Sequence, residues 1–291
     1  MQSRALGIDL PAVSAVGYGG MHLSIVDRPP EAESVRVIHA ALDAGITLID
    51  TANVYCLDET DIGHNERLIA RALGSWGGAR DRVVVATKGG STRPLGRWVS
   101  DGRPDSLRRA CEASLAALGV ERIDLYQLHA VDPAVPLEDS VGALEALRAS
   151  GKIGAVGLSN VSVDAIRRAR AITTVSTVQN RLNPFFREAL ADGVVRYCAE
   201  QAIGFLAYSP TGGGRLTRKL PDHPVLRPMA DALGVTPHAL VLAWVRLQGP
   251  TVIPIPSARR AAHAEDSARS ADLELSRADL AAIDGAVFDR S

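Results

Sequence analysis

Cysteine is scarce in this chain of 291 residues, with Cys56, Cys111 and Cys198 far apart and no C-x-x-C spacing. That argues against a disulfide framework and a structural zinc site, and three free thiols are expected. The seven histidines are equally scattered, with no H-x-x-x-H pair and no Cys/His cluster, so the reading needs no metal. Charge of one sign is lacking too: 32 Lys and Arg stand against 33 Asp and Glu. No overall field favours nucleic acid, no basic stripe suggests a membrane surface, and a small neutral or mildly charged ligand fits better. Apolar runs stay short of the roughly 20 residues of a membrane span. The opening MQSRALGIDL also lacks the unbroken apolar core of a signal peptide, so a soluble, cytoplasmic protein is expected.

The chain does have enough apolar material for a large core. Hydrophobic side chains make up 46% of it, and no composition break or long linker divides it, so one domain over residues 1–291 is expected. Strand-like runs alternate with amphipathic stretches from end to end, which predicts a parallel sheet with helices outside it. Eight strands can be read: Val13 to Tyr18, Ile46 to Asp50, Val83 to Lys88, Ile123 to His129, Ile153 to Leu158, Val175 to Gln179, Gly204 to Tyr208 and Thr251 to Pro254. Between them, Val35, Ile38 and Leu42 lead to Gly45, and Leu107, Cys111, Leu115 and Leu118 lead to Gly119, each a helical stripe closed by a glycine cap. Thr236-Pro237 opens another helix, and Ser276 with Asp279 resembles a capping box. The predicted architecture is a (β/α)8 TIM barrel, with Arg4 to Leu10 forming a short hairpin over its bottom. Two polar stretches, Ser91 to Arg103 and Pro210 to Pro224, are too long for simple turns and have the size of substrate lids.

In such a barrel the reactive groups gather at the C-terminal strand ends. Strand two ends in Asp50, with Tyr55 five residues on; strand three ends in Lys88; strand four ends in His129. Each has an ordinary reading taken singly: a turn former, a half-buried amphipath, a solvated tail, a hydrogen-bonded core residue. Together they make a proton-transfer device. A tyrosine titrating near pH ~10 acts as an acid when its phenolate is stabilised, which a nearby Lys88 ammonium does. Asp50 would hold Lys88 charged, and His129 would orient a carbonyl oxygen by hydrogen bonding.

These positions also lie where the sequence resembles the aldo-keto reductase family. The matching text runs R-A-L-G at Arg4 to Gly7, V-S-A-V-G-Y-G-G-M at Val13 to Met21, D-T-A-N-V-Y at Asp50 to Tyr55, and A-T-K at Ala86 to Lys88. It continues with S-L-A-A-L-G-V-E-R-I-D-L-Y-Q-L-H at Ser114 to His129, G-L-S-N at Gly157 to Asn160, V-Q-N-R at Val178 to Arg181 and Y-S-P at Tyr208 to Pro210. The resemblance implies a tetrad of Asp50, Tyr55, Lys88 and His129, with Tyr55 as general acid in reduction of an aldehyde or ketone by NADPH. It further implies that Ser159, Asn160 and Gln179 hold the nicotinamide carboxamide, that Tyr208 stacks on the ring, and that Ser209 to Gly214 wraps the pyrophosphate, Ser209, Gly212 and Gly213 among the contacts. Similar proteins have Gly and Asn where Ser257 and Ser267 stand, and bind the 2′-phosphate between them. Arg259 and Arg260 still offer forks suited to that phosphate, so NADPH is favoured over NADH.

A second departure follows Tyr55. The run C-L-D-E-T-D-I-G-H-N-E is longer than the family's usual path to its N-E pair, so the rim is expected to be reshaped, with the insertion bulging into solvent or, alternatively, placing Asp58, Glu59 or Asp61 beside the substrate. Cys56 and Trp98 are candidate pocket residues, Cys56 alternatively an inert filler and Trp98 alternatively packed under its own loop. Two other functions stay open on the sequence. One is a weakly catalytic NADP(H)-binding regulatory subunit; the other is a barrel lyase using Lys88 as a Schiff-base nucleophile. Substrate identity lies in the loops and the tail after Ile283, and neither it nor the oligomeric state can be read from the chain.

Overall fold

The computed structural model describes residues 1–291. Its main sheet has eight parallel strands: β1 (Tyr18–Gly19), β2 (Leu48–Asp50), β3 (Val84–Gly89), β4 (Ile123–Leu128), β5 (Ile153–Ser159), β6 (Val175–Arg181), β7 (Gly204–Tyr208) and β8 (Val252–Pro254). Each pairs with the next in chain order. The ring closes where Gly17 N donates to Pro254 O at 2.9 Å and Gly19 N to Pro256 O at 2.8 Å. With helices crossing over between successive strands, this is the predicted (β/α)8 barrel. No helix is long and apolar enough to cross a membrane.

The helix signals act locally as read. Gly119 caps Pro104–Leu118 in the left-handed region (φ 66°), Thr236 Oγ1 accepts from Ala239 N ahead of Pro237–Arg246, and Ser276 with Asp279 forms a reciprocal capping box. One strand was misplaced by the sequence. Val13 to Tyr18 is not a single barrel strand: Ala12–Ser14 pairs antiparallel with Ser3–Ala5 as the bottom hairpin, and only Tyr18–Gly19 joins the barrel. The break has a cause in side-chain hydrogen bonding. Ser14 Oγ accepts from Thr47 N at 2.9 Å and donates to Val16 O at 2.7 Å, turning the chain out of one pairing before the next.

Alternation along the strands sorts side chains into two cores. Ile49, Val85, Tyr126, Val156 and Val178 face outward into a large cluster beneath the helices. Leu48, Val84, Ala86, Leu125, Ala155, Leu206 and Ile253 fill the barrel floor with Leu6 and Val13 of the hairpin. The same inward rows continue upward two residues at a time, from Leu48 to Asp50, from Ala86 to Lys88, and from Leu125 through Gln127 to His129. A strand that begins apolar inside thus ends with a polar group inside, above a dry floor.

Candidate active site

Lys88 is completely buried on β3, and all three of its ammonium donors are engaged: by Asp50 Oδ2 at 2.6 Å, Thr51 O at 2.8 Å and Tyr55 Oη at 2.9 Å. An ammonium accepts nothing, so Tyr55 Oη is the acceptor in that contact and its own proton is left for another group. Burial works against the Lys88 charge, yet Asp50 and Tyr55 together hold its pKa above the ordinary lysine value. Burial raises the Tyr55 phenol above its ordinary value, only partly offset by Lys88. The tyrosine is therefore a neutral donor at physiological pH. A wholly buried, fully bonded ammonium has no lone pair to attack a carbonyl, which removes the geometric basis of the Schiff-base alternative.

His129, just past β4, sets its ring 5.8 Å from that of Tyr55, nearly perpendicular. Burial, followed by the Lys88 charge, pushes its pKa down to about 3. The imidazole is neutral, keeps one N–H to donate, and its Nδ1 has no protein partner. Trp98 completes an aromatic triangle, with centroids 6.2 Å from Tyr55 and 6.1 Å from His129. The pocket wall expected at Trp98 is thus beside the tetrad.

A buried amide layer supports the carboxylate. Asp50 Oδ1 accepts from Gln179 Nε2 at 2.7 Å and Gln127 Nε2 at 3.3 Å. Gln179, expected to hold a nicotinamide, is here tied to the tetrad itself. Gln127 did not figure among the sequence candidates, although its position two residues before His129 on an inward row was a usable signal. Room for it depends on Gly157: a Cβ there would come 2.7 Å from Gln127 Cγ. The N-E pair braces the strand ends from outside, Asn65 bonding Thr51 Oγ1 at 2.6 Å and Gly20 O at 2.9 Å, and Glu66 bonding Thr87 Oγ1 at 2.6 Å.

The remaining predicted groups follow the C-terminal ends of β5 to β8. Ser159 Oγ donates to Gln179 O at 2.8 Å, and Asn160, in the left-handed region at φ 58°, bonds His129 O at 3.0 Å and Tyr208 Oη at 2.8 Å. Ser209, Gly212, Gly213 and Gly214 all have positive φ, so the loop after β7 turns its backbone in a way that side-chain-bearing residues resist. Arg259 and Arg260 precede the helix Ala261–Arg269, Arg260 as its N-cap residue. Ser267 Oγ donates to His263 O within that helix at 2.9 Å.

Two expectations are corrected. Cys56 is a filler rather than a pocket residue, the inert alternative read from the sequence: it is fully buried, its Sγ 3.3 Å from Val54 O and 3.2 Å from Asp58 O, and burial pushes its pKa up to about 11. All three cysteines are free and buried. The insertion does not simply bulge into solvent. Glu59 Oε2 accepts from Leu95 N at 2.6 Å, Arg93 Nη2 donates to Cys56 O and Leu57 O at 3.1 Å each, and Asp61 pairs with Arg28 at 2.5 Å. The insertion and the Ser91 to Arg103 loop therefore pack as one rim. Arg93, a loop residue with no periodic signal around it, was absent from the sequence candidates.

Known proteins similar to this chain are numerous. Over 99% of its length the chain is 34% identical to a probable aldo-keto reductase 1 of Glycine max, covering 89% of that protein. Among solved structures, a glycerol dehydrogenase of Gluconobacter oxydans superposes with a TM-score of 0.83 at 31% identity, covering 97% of this chain and 93% of that one. An aldo-keto reductase of Klebsiella pneumoniae in complex with NADPH gives 0.82 at 29%, covering 98% and 95%. The model of the Aldo/keto reductase family matches residues 15–287, nearly the whole barrel and every strand end described above, and the chain belongs to that family.

Proposed function

We propose that the protein is an NADPH-dependent oxidoreductase that reduces an aldehyde or ketone to an alcohol, with Tyr55 as the proton donor. The carrying observation is the Lys88 ammonium: it spends its three donors on Asp50, Thr51 and Tyr55, leaving the Tyr55 proton free toward the mouth. A substrate oxygen held there would take hydrogen bonds from Tyr55 and from neutral His129 as negative charge develops on it. When the proton leaves, the phenolate is already in contact with a fixed cation, so charge passes to an oxygen whose stabilising partner need not move. In the alcohol-oxidising direction the same phenolate is the base.

The residues fit the dinucleotide that would supply hydride. Three successive positive-φ glycines, Gly212 to Gly214, would let backbone amides approach a pyrophosphate, and Gly214 has no heavy atom within 4 Å of where a Cβ would stand. Arg259 and Arg260 stand ahead of a helix N-terminus where a 2′-phosphate would be favoured. Ser159, Asn160, Gln179, Tyr208 and Ser209 would hold the nicotinamide end. With Gln179 Nε2 engaged by Asp50, its Oε1 is the atom left to accept from the carboxamide N–H. The test is Tyr55→Phe, which keeps the ring and removes the proton. Turnover is expected to fall by about 10³-fold or more with NADPH binding retained. Near-normal reduction by that variant would overturn the assignment.

A further inference from the structure

The buried cation in the rim remains unaccounted for by that chemistry. Arg93 is only 5% exposed, and two of its guanidinium nitrogens, Nε and Nη1, have no partner; Nη2 alone is used, on the carbonyls of Cys56 and Leu57. No carboxylate bonds Arg93 directly, although Asp58 feels its charge. Asp58 accepts from Thr60, Glu59 from Leu95 N, Asp61 from Arg28 and Asp101 from Arg103. A guanidinium is always charged, and leaving its donors unpaired away from water is unfavourable, so a nearby acceptor would be bound strongly.

The ring stacked on that guanidinium is part of the substrate mouth. The Arg93 Cζ lies 4.0 Å from the centroid of the Trp98 ring, and the same ring meets Tyr55 and His129. The cation is therefore within about 10 Å of both reacting side chains, a separation that a short or aromatic molecule spans. Trp98 is 50% exposed, and Leu95 and Val99 beside it are exposed as well, so the ring has solvent on its free side into which to swing.

We infer that Arg93 is a specificity-determining residue of the substrate pocket, recognising a carboxylate carried by the carbonyl substrate, so that the preferred substrates are oxo acids. Trp98 moves off the guanidinium, exposing Nε and Nη1 to the carboxylate, while the carbonyl end reaches Tyr55 and His129. This rests on the carbonyl-reductase reading of the same mouth and adds the chemical class of substrate.

The experiment compares para-carboxybenzaldehyde with its methyl ester, following NADPH oxidation by the wild-type enzyme, Arg93→Met and Arg93→Lys. Wild type is expected to prefer the acid by about tenfold or more in kcat/KM, and Arg93→Met to bring that ratio close to one. Arg93→Lys, which keeps the charge and loses the fork, should fall between them, and it carries the test if the methionine variant does not fold. Equal treatment of acid and ester by the wild type overturns the inference and leaves the reductase reading intact. So does a parallel fall for both substrates in Arg93→Met, which is the mark of a brace for the Cys56–Leu57 backbone. If neither aldehyde is reduced, the reductase reading is left to its own test at Tyr55, and kinetics on this pair do not reach the anion site. Calorimetry of para-(hydroxymethyl)benzoate on the NADP⁺-loaded proteins then decides the anion site: binding lost in Arg93→Met supports it, and binding absent or unchanged sinks it.

Discussion

Replacing Asp50 by Asn isolates the electrostatics of the site, because the shape is kept and one charge is removed. In the wild type Asp50 Oδ2 faces the Lys88 ammonium while Oδ1 faces two amide donors, from Gln179 and Gln127. An asparagine cannot serve both sides. With its oxygen toward Lys88, its NH2 meets the two glutamine NH2 groups; turned round, its NH2 meets the ammonium. Either way a fully buried cation loses its counter-charge, which costs about 3–5 kcal/mol. Spread over an unfolding entropy of about 2 cal/mol/K per residue for 291 residues, that is a fall in Tm of about 5–8 °C at neutral pH.

The pH dependence identifies the source of that fall. In the wild type, Asp50 and Tyr55 outweigh burial and hold the Lys88 pKa above its ordinary value, so its contribution is fully present below about pH 10.4 and is lost only as pH rises through the folded pKa. Without the carboxylate, burial prevails and the folded pKa drops below the unfolded one. The variant then carries a penalty that is complete at neutral pH and disappears as the lysine deprotonates in both states. The Tm gap between the proteins, measured by calorimetry or circular dichroism, should therefore be widest near pH 7, narrow toward about pH 10 as the variant's penalty fades, and close only above that, as the wild-type lysine itself titrates. A gap that stays constant across that range, or a fall of less than about 2 °C at pH 7, would refute the reasoning.

Two further outcomes follow from the same geometry. Because burial and Lys88 hold His129 to a pKa of about 3, the imidazole is neutral on both sides of the ordinary histidine value. Reduction rates should thus show no inflection near pH 6.5 belonging to this residue; an inflection there that vanishes in His129→Gln would contradict this state. Changing Arg259 and Arg260 together to Ala should raise KM for NADPH by about tenfold or more and leave that for NADH much less affected, as measured by initial rates; equal effects on both would dismiss the 2′-phosphate assignment.

The sequence by itself determined the barrel and the four groups at its mouth, because the signals involved are local or periodic. Apolar alternation marks a strand wherever it lies, glycine and Thr-Pro end or begin helices through their own backbone chemistry, and parity along β2, β3 and β4 already points Asp50, Lys88 and His129 inward. Only the tertiary structure decided which contacts those groups make. Ser14 breaks the first strand through Thr47, 33 residues away, Gln179 reaches Asp50 across 129 residues, and Arg93 meets the insertion across 36 or 37. Such pairings depend on how the ring closes and which side chains it encloses, and no window along the chain contains both partners. The same reason explains Cys56: beside Tyr55 in sequence it looked like a pocket residue, whereas the fold turns its thiol into the backbone and leaves the rim to Trp98 and the cation beneath it.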